Sequence, residues 1–306
     1  MMNIKDSLLD LVGNTPMVYL REYGAGLEAT LAAKLEMFNP YSIKDRSVSF
    51  MIEAAEKEGR INKDTAIIEV TSGNTGLALA FICARKGYKL IICMSEIQSD
   101  ERKHLLTALG AHLELTPAQE GTKGAKKRAL ELLEELPESF YIEQHANPNN
   151  PRAHRETTAE ELWRDTDGKI DILVAGLGTS GTLMGTAEVI KARKPSFKVV
   201  GIEPEIAPMI SKGIFNPHRQ AGTSPGFIPE VLRRELLDEI ITLSEEESFE
   251  ACRELAKTEG ILAGITSGMT ALAARRLAQR PQNRGKLIVA VFADTGERYL
   301  SVDGLY

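Results

Sequence analysis

The chain has 306 residues, 43% hydrophobic and 26% charged, with a formal net charge of -6 at pH 7. That length allows two ordinary domains, each with its own core, and the mildly acidic balance argues against a non-specific nucleic-acid binder while leaving room for a local basic pocket that takes an anion. Three widely spaced cysteines, Cys83, Cys93 and Cys252, form no CxxC or Cys/His cluster, so neither a disulfide framework nor a zinc site is suggested.

The opening MMNIKDSLLDLVGNTP lacks a basic start followed by a continuous apolar core, so it does not read as a signal peptide. Apolar runs such as Leu287–Phe292 are too short to span a bilayer. The expectation is a cytoplasmic protein without nucleic-acid, membrane or metal partners. Cys83 and Cys93 sit among apolar neighbours and read as buried structural thiols. His145, His154 and His218 have no metal-ligand spacing and read as solvated or core histidines.

In chain order, β-type runs are expected at Thr30–Leu35, Ala66–Val70, Lys89–Met94, His112–Thr116, Ile172–Ala175, Lys198–Ile202 and Lys286–Phe292. Most are continuous apolar runs without alternation. Strands buried on both faces read that way, as in a parallel sheet covered by helices. Helical runs alternate with them. Val48, Met51, Ile52 and Ala55 share one helical face, and Gly59 ends it. Ser244 with Glu247 has the pattern of a capping box, so Glu245–Glu247 reads as a solvated first turn. The stretch Glu203–Pro229, rich in Pro and Gly, is the most irregular, and a long irregular loop in a compact domain is usually functional. The alternation implies an α/β fold with doubly wound sheets, in which ligands sit at the carboxyl ends of strands.

Two loops at such strand ends share a design. Glu69–Gly76 (EVTSGNTG) follows the strand ending near Val70 and precedes a helix over Leu77–Arg85. Gly176–Thr182 (GLGTSGT) follows the strand ending near Ala175 and precedes a helix from Leu183. Each places small residues and backbone N–H groups at a helix start, where orphan donors and the helix dipole favour an anion. Neither is a Walker A or a GxGxxG fingerprint, and either alone is as readily an ordinary glycine-rich turn. Two in one chain suggest two anions held near one cleft. A third element, Asn39–Arg46 (NPYSIKDR), puts Lys44 where a helix begins; the dipole there disfavours its charge and helps it act as an amine nucleophile. Alone, Lys44 reads as a surface lysine and Ser42 as an N-cap. A fourth, Gly264–Gly268 (GITSG), precedes a helix over Met269–Ala278, and Ser267 alone also reads as an N-cap.

These four elements, in this order, resemble the fold-type II pyridoxal-phosphate (PLP) enzymes and specifically the cysteine synthase (O-acetylserine sulfhydrylase) and cystathionine β-synthase family. The resemblance runs from Val12–Pro16 (VGNTP) to Gly296–Ser301 (GERYLS), and TSGNTG with GTSGT is highly specific. It implies a tryptophan synthase β-like fold of two doubly wound α/β domains with the active site in the cleft between them. Residues 42–147 would form a small mobile domain carrying the substrate-carboxylate loop. Residues 1–41 plus 148–306 would form a large domain carrying the PLP phosphate loop.

The resemblance also implies roles. Lys44 is the family's Schiff-base lysine, which later moves the Cα proton. Asn74 meets the cofactor 3′-oxygen. Gly178, Thr179, Ser180, Gly181 and Thr182 cradle the phosphate, and Ser267 faces the pyridine nitrogen. Thr71, Ser72, Gly73, Asn74 and Thr75 grip the substrate carboxylate with help from Gln144, and Gly222 and Thr223 border the side-chain end of the site. PLP is the electron sink. A serine at its nitrogen is a weak neutral partner, so loss of the Cα proton is best coupled to departure of a β-leaving group, giving an aminoacrylate that a nucleophile attacks.

The activity implied is β-replacement on O-acetyl-L-serine by sulfide, giving L-cysteine and acetate, in a homodimer that in some relatives pairs with serine acetyltransferase. Two further enzymes remain open: an L-cysteine β-lyase or β-replacement enzyme that releases hydrogen sulfide, and a cystathionine β-synthase that uses homocysteine. A catalytically silent PLP-binding partner is a fourth reading, opposed by the intact Lys44, Asn74 and Ser267.

Two departures from the family pattern bear on this. The run between Asn39 and Lys44 is one residue shorter than usual, so Tyr41 leads directly into Ser42. Ala221–Pro229 reads AGTSPGFIP, whereas the family reads close to QGIGAGFIP; Thr223, Ser224 and Pro225 are expected to add hydroxyls and stiffness beside the leaving group and nucleophile.

Overall fold

A computed structural model describes residues 4–306 apart from Ser72. Among the described residues the strands, in chain order, are β1 (Met17–Tyr19), β2 (Thr30–Leu35), β3 (Ala66–Val70), β4 (Lys89–Ser95), β5 (His112–Thr116), β6 (Ser139–Tyr141), β7 (Ile170–Gly176), β8 (Lys198–Pro204), β9 (Glu239–Leu243) and β10 (Leu287–Phe292). The helices are α1 (Lys44–Lys57), α2 (Asn74–Lys86), α3 (Asp100–Ala108), α4 (Gly121–Glu135), α5 (Asn149–Ala153), α6 (Ala159–Asp165), α7 (Gly181–Arg193), α8 (Met209–Lys212), α9 (Glu245–Thr258) and α10 (Ile265–Ala278). A π-helical turn, His154–Thr158, joins α5 to α6. The chain divides into two compact units: Lys44–Asn149 with the N-terminal segment up to Val12, and Gly13–Ile43 with Asn150–Tyr306.

The first unit holds a four-stranded sheet in the order β5-β4-β3-β6, parallel throughout. Ile67, Ile68, Ile92 and Cys93 are fully buried in it. Ile68 and Cys93 pack against Ala125, Ala129 and Leu132 of α4. The second unit holds a six-stranded sheet in the order β1-β2-β10-β7-β8-β9, parallel except for the β1–β2 pair. Alternate residues feed two cores. Leu31, Ala33, Ile172, Val174, Ile288 and Ala290 pack with α10, whereas Ala32, Leu173, Ala175, Val289 and Val291 pack with α7. Successive side chains on a strand point to opposite faces, so a strand covered on both sides must be apolar at every position. That is why these strands read as unbroken apolar runs.

The expected strands are present with slightly different ends, and the α/β fold with parallel sheets is as expected. β1, β6 and β9 were not anticipated. Each lies at the edge of its sheet, is only partly buried and is short, three residues for β1 and β6 and five for β9, so none shows a long apolar run. Three helices begin earlier than expected, at Asn74, Gly181 and Ile265. Their first turns are built from the small loop residues themselves, which carry no apolar periodicity. Cys83, Cys93 and Cys252 are free and buried, and burial pushes all three thiols up to about 12.

Ser244 caps α9 by accepting the Glu247 N–H at 3.3 Å. The reciprocal half of the box differs from expectation. The Glu247 carboxylate takes the Ser244 hydroxyl at 2.5 Å and the Arg276 guanidinium instead. The Glu203–Pro229 stretch contains α8, held by the buried Glu203 carboxylate, which accepts from the N–H groups of Ile210 at 2.6 Å and Ser211 at 3.0 Å. Among the described residues no helix is long and apolar enough to cross a membrane.

Candidate active site

In the first unit, Lys44 is the first residue of α1 and is half-buried, followed by the buried Asp45 and Arg46. Asp45 in the first turn satisfies the dipole that Lys44 opposes. His145 lies within reach of the charges of Lys44 and Lys126. Burial first, and those two charges second, hold its ring down at about 4, so it is neutral near pH 7.

The 71–75 loop starts at the carboxyl end of β3. The Gly73 N–H donates to Thr71 Oγ1 at 3.2 Å, and Gly73 caps α2. A Cβ at Gly76 would meet Thr71 Cγ2 and Leu106 Cδ2 at 3.2 Å, which leaves little room for a side chain where the helix turns under the loop. Thr75 donates its hydroxyl to Gln144 Oε1 at 2.7 Å, and both are buried. Thr71, Gly73, Asn74, Thr75 and Gln144 are thus brought together; Ser72 lies outside the described residues.

One group here was not singled out from the sequence. Glu69, 2% exposed near the end of β3, accepts from the N–H groups of Val70 at 2.7 Å and Gln144 at 3.4 Å. Burial pushes its carboxyl up to about 8, against the two amides, which pull it down, with nearby Glu143 adding to the rise.

In the second unit, the loop after β7 turns into α7 through Ser180, whose φ of +69° is left-handed. The Gly181 N–H points at Thr179 Oγ1, 3.4 Å away, and the Met184 N–H donates to the Ser180 carbonyl at 3.0 Å. Glycine is needed at two of these positions for space. A Cβ at Gly181 would lie 2.0 Å from Asn150 Oδ1, and one at Gly178 would lie 2.4 Å from the Gly222 carbonyl oxygen. Thr182 Oγ1 lies 3.2 Å from His154 Nε2, and the other ring nitrogen lies 2.9 Å from Thr158 Oγ1. His154 is buried, as one of the two expectations had it, but its link to the loop depends on the π-turn and carries no local signal.

Ser267 corrects an expectation. It is the third residue of α10, whose cap is Gly264, so it is not an N-cap. Its fully buried Oγ accepts the Ala293 N–H at 3.1 Å. The Ala293 carbonyl accepts the N–H of Ile43, the residue before Lys44, at 2.9 Å. One residue, Ala293, therefore meets both the Ser267 hydroxyl, through its N–H, and the chain entering α1, through its carbonyl.

The 221–225 segment is held by its own side chains. Its added hydroxyls bond backbone carbonyls: Thr223 to Gln220 at 2.7 Å and Ser224 to Ala207 at 2.5 Å. Both residues are buried. Ser224 stands at φ +43° with its N–H on the Leu177 carbonyl at 2.9 Å, and Thr266 donates to the Ala221 carbonyl. The segment is thereby clamped onto the 176–178 turn. In the shortened run before Lys44, Arg298 donates to the Tyr41 carbonyl.

A phosphorylated aldehyde cofactor fits these groups. The Ser180 hydroxyl is buried without a hydrogen-bond partner among the described residues, beside the first-turn amides of a 13-residue helix. Ser267, with its oxygen occupied by an amide, keeps a hydroxyl proton to donate to a bare ring nitrogen. Among the described residues no His/Cys/Asp/Glu group could hold a metal ion.

The parallel α/β fold, with a lysine opening a helix in one unit and an anion-fitting loop in the other, has the features of an enzyme with an anionic cofactor. The chain belongs to the pyridoxal-phosphate dependent enzyme family, whose model matches residues 8–294, and its cofactor is pyridoxal 5'-phosphate. It is 44% identical over 304 residues to cysteine synthase B of Campylobacter jejuni, covering 99% of both chains. Among solved structures it matches the Entamoeba histolytica cysteine synthase at a TM-score of 0.96 and 39% identity, covering 99% of this chain and 91% of that one. It also matches a hydrogen sulfide-producing enzyme of Fusobacterium nucleatum at a TM-score of 0.94 and 42% identity, covering 98% and 99%.

Proposed function

We propose that this chain is a cysteine synthase, replacing the acetoxy group of O-acetyl-L-serine with sulfide to give L-cysteine and acetate. The observation that carries β-chemistry is the Ser267 hydroxyl, held by the Ala293 amide. A neutral donor does not keep the ring nitrogen protonated, which favours departure of a β-substituent over a long-lived carbanion. The full-length likeness to the Campylobacter jejuni relative supports the substrate pair.

When bound, PLP withdraws electrons from Cα of the attached amino acid. Lys44 Nζ holds the cofactor and then takes the Cα proton. Gly178, Thr179, Ser180, Gly181 and Thr182 bind the phosphate, and Asn74 meets the 3′-oxygen. Thr71, Ser72, Gly73, Asn74 and Thr75 orient the substrate carboxylate with Gln144, and Gly222 and Thr223 line its side-chain end. Residues 42–147 move as a small domain on carboxylate capture, excluding water while the β-carbon is reactive. The working form is a cytoplasmic homodimer, and a complex with serine acetyltransferase belongs to the same reading.

A second reading is favoured by the Fusobacterium nucleatum neighbour: the same site works on L-cysteine and releases hydrogen sulfide. Steady-state rates with product identification separate the two. O-acetyl-L-serine plus sulfide is expected to yield cysteine and acetate faster than cysteine alone yields sulfide; the reverse order by orders of magnitude overturns the proposal. The purified protein should show a band near ~410 nm from cofactor joined to lysine, lost in Lys44→Ala with the fold retained.

A further inference from the structure

Glu69 is a carboxyl on a strand whose preceding residues, Ala66–Ile68, are apolar and buried. Burying a carboxyl costs stability unless it is paired or hydrogen-bonded, and an apolar residue in the same place is often at least as stable. Among the described residues Glu69 has no cationic partner. Its hydrogen-bond partners are the Val70 and Gln144 amides. Those two amides open the two segments that carry the carboxylate-binding groups. Val70 leads into residues 71–75, and Gln144 places the Oε1 that accepts the Thr75 hydroxyl at 2.7 Å. The turn at Gln144 is itself tight. Glu143 stands at φ +52°, and its carbonyl accepts the N–H groups of Ala146 and Asn147, both at 2.9 Å. Carboxyl, Gln144 backbone, Gln144 side chain, Thr75 and strand end thus close a ring of contacts around a buried acceptor.

We propose that Glu69 is a positioning residue for amino-acid binding, whose carboxyl clips Gln144 to the start of the 71–75 loop so that Gln144 and Thr75 meet the substrate carboxylate in register. The inference rests on the reading of residues 71–75 and 144 as the carboxylate site. In this role Glu69 needs no contact of its own with substrate or cofactor. Glu69→Gln keeps the side-chain shape and the acceptor for Val70 but turns an N–H₂ toward the Gln144 N–H, so it releases one arm of the clip.

The test uses holoenzyme carrying Glu69→Gln, Gln144→Ala or both, titrated with O-acetyl-L-serine. In Glu69→Gln, KM is expected to rise about tenfold with kcat within about twofold, the pattern of lost uniform binding. Cofactor occupancy at ~410 nm should stay unchanged. In the Gln144→Ala background the same change should move KM by less than about twofold, because coupled residues are non-additive. An unchanged KM with a lowered Tm, or additive effects, overturns the proposal. Amide hydrogen exchange of the wild-type holoenzyme needs no variant: slow exchange at Gln144 that is lost in Glu69→Gln supports the clip, and fast exchange there in the wild type overturns it. If the protein fails to turn over amino acids, the proposed function falls, while exchange at Gln144 still decides whether Glu69 clamps that turn.

Discussion

Gly178→Ala is the sharpest single test of the proposed phosphate loop. Gly178 has no unusual φ, so alanine is conformationally allowed and only space is at issue. The new Cβ would start 2.4 Å from the Gly222 carbonyl oxygen, a contact that must open to at least 3.0 Å. Backbone has to yield, and on neither side is it loose. Gly222 stands at φ +84°, between Ala221, held by Thr266, and Thr223, tied to the Gln220 carbonyl at 2.7 Å; the Ser224 N–H is tied to Leu177 at 2.9 Å. Overpacking of this kind typically costs about 1–3 kcal/mol. If that strain falls on the cofactor-binding arrangement, affinity drops roughly 5- to 150-fold.

The assay is titration of apoprotein with PLP, followed by the rise of the lysine-bound band, with the Tm of the apoprotein as a check on folding. Gly73→Ala is the matched control: its Cβ would meet nothing within 4 Å at a φ of -119°, so cofactor affinity should stay within about twofold of wild type, no clash or strain being introduced. An unchanged affinity in Gly178→Ala refutes the clamp between the two loops. Weakening by Gly73→Ala to the same degree shows that the two anion loops are assigned the wrong way round.

Lys34→Met should destabilise the protein strongly. Lys34 is fully buried, 2.8 Å from Glu161 and 3.3 Å from Asp165, with Glu161 only 6% exposed. Removing the cation strands a buried carboxylate at a cost of about 3–5 kcal/mol, read as a lower denaturation midpoint; a change below about 1 kcal/mol contradicts the pairing. Ser267→Ala leaves the partly buried Ala293 N–H without this acceptor, costing about 1 kcal/mol of stability, and should slow the β-reaction more than it weakens cofactor binding; equal loss of both contradicts the role of its hydroxyl. The pH dependence of stability should show two opposed contributions. Glu69 is raised from 4.5 to about 8, so its contribution is full below the unfolded value and lost as pH rises towards 8. His145 is lowered from 6.5 to about 4, so its contribution is present above 6.5 and lost as pH falls towards 4. Melting curves of Glu69→Gln should flatten the alkaline decline and those of His145→Gln the acid one, and parallel curves would contradict both.

Much of this molecule was legible in the residues in order. The doubly covered strands announced themselves because burial on both faces forbids polar positions, and the two strand-to-helix loops because small residues there lead straight into a helix start. Lys44 falls at a helix start, yet alone it reads as a surface lysine, whereas the structure half-buries it. The resemblance attached roles to these positions; periodicity alone did not. What stayed hidden depends on partners distant in the chain. Gln144 reaches Glu69 across 75 positions, Ser267 reaches the Ala293 amide across 26, and His154 reaches Thr182 across 28. Thr223 and Ser224 read as added hydroxyls, and only the tertiary structure shows that both donate to backbone carbonyls. Local order of residues determines which segments can be strands, helices and anion loops, because propensity and burial act over a few positions. Which polar atom meets which is decided only by packing, since a hydrogen bond exists at about 3 Å and not further.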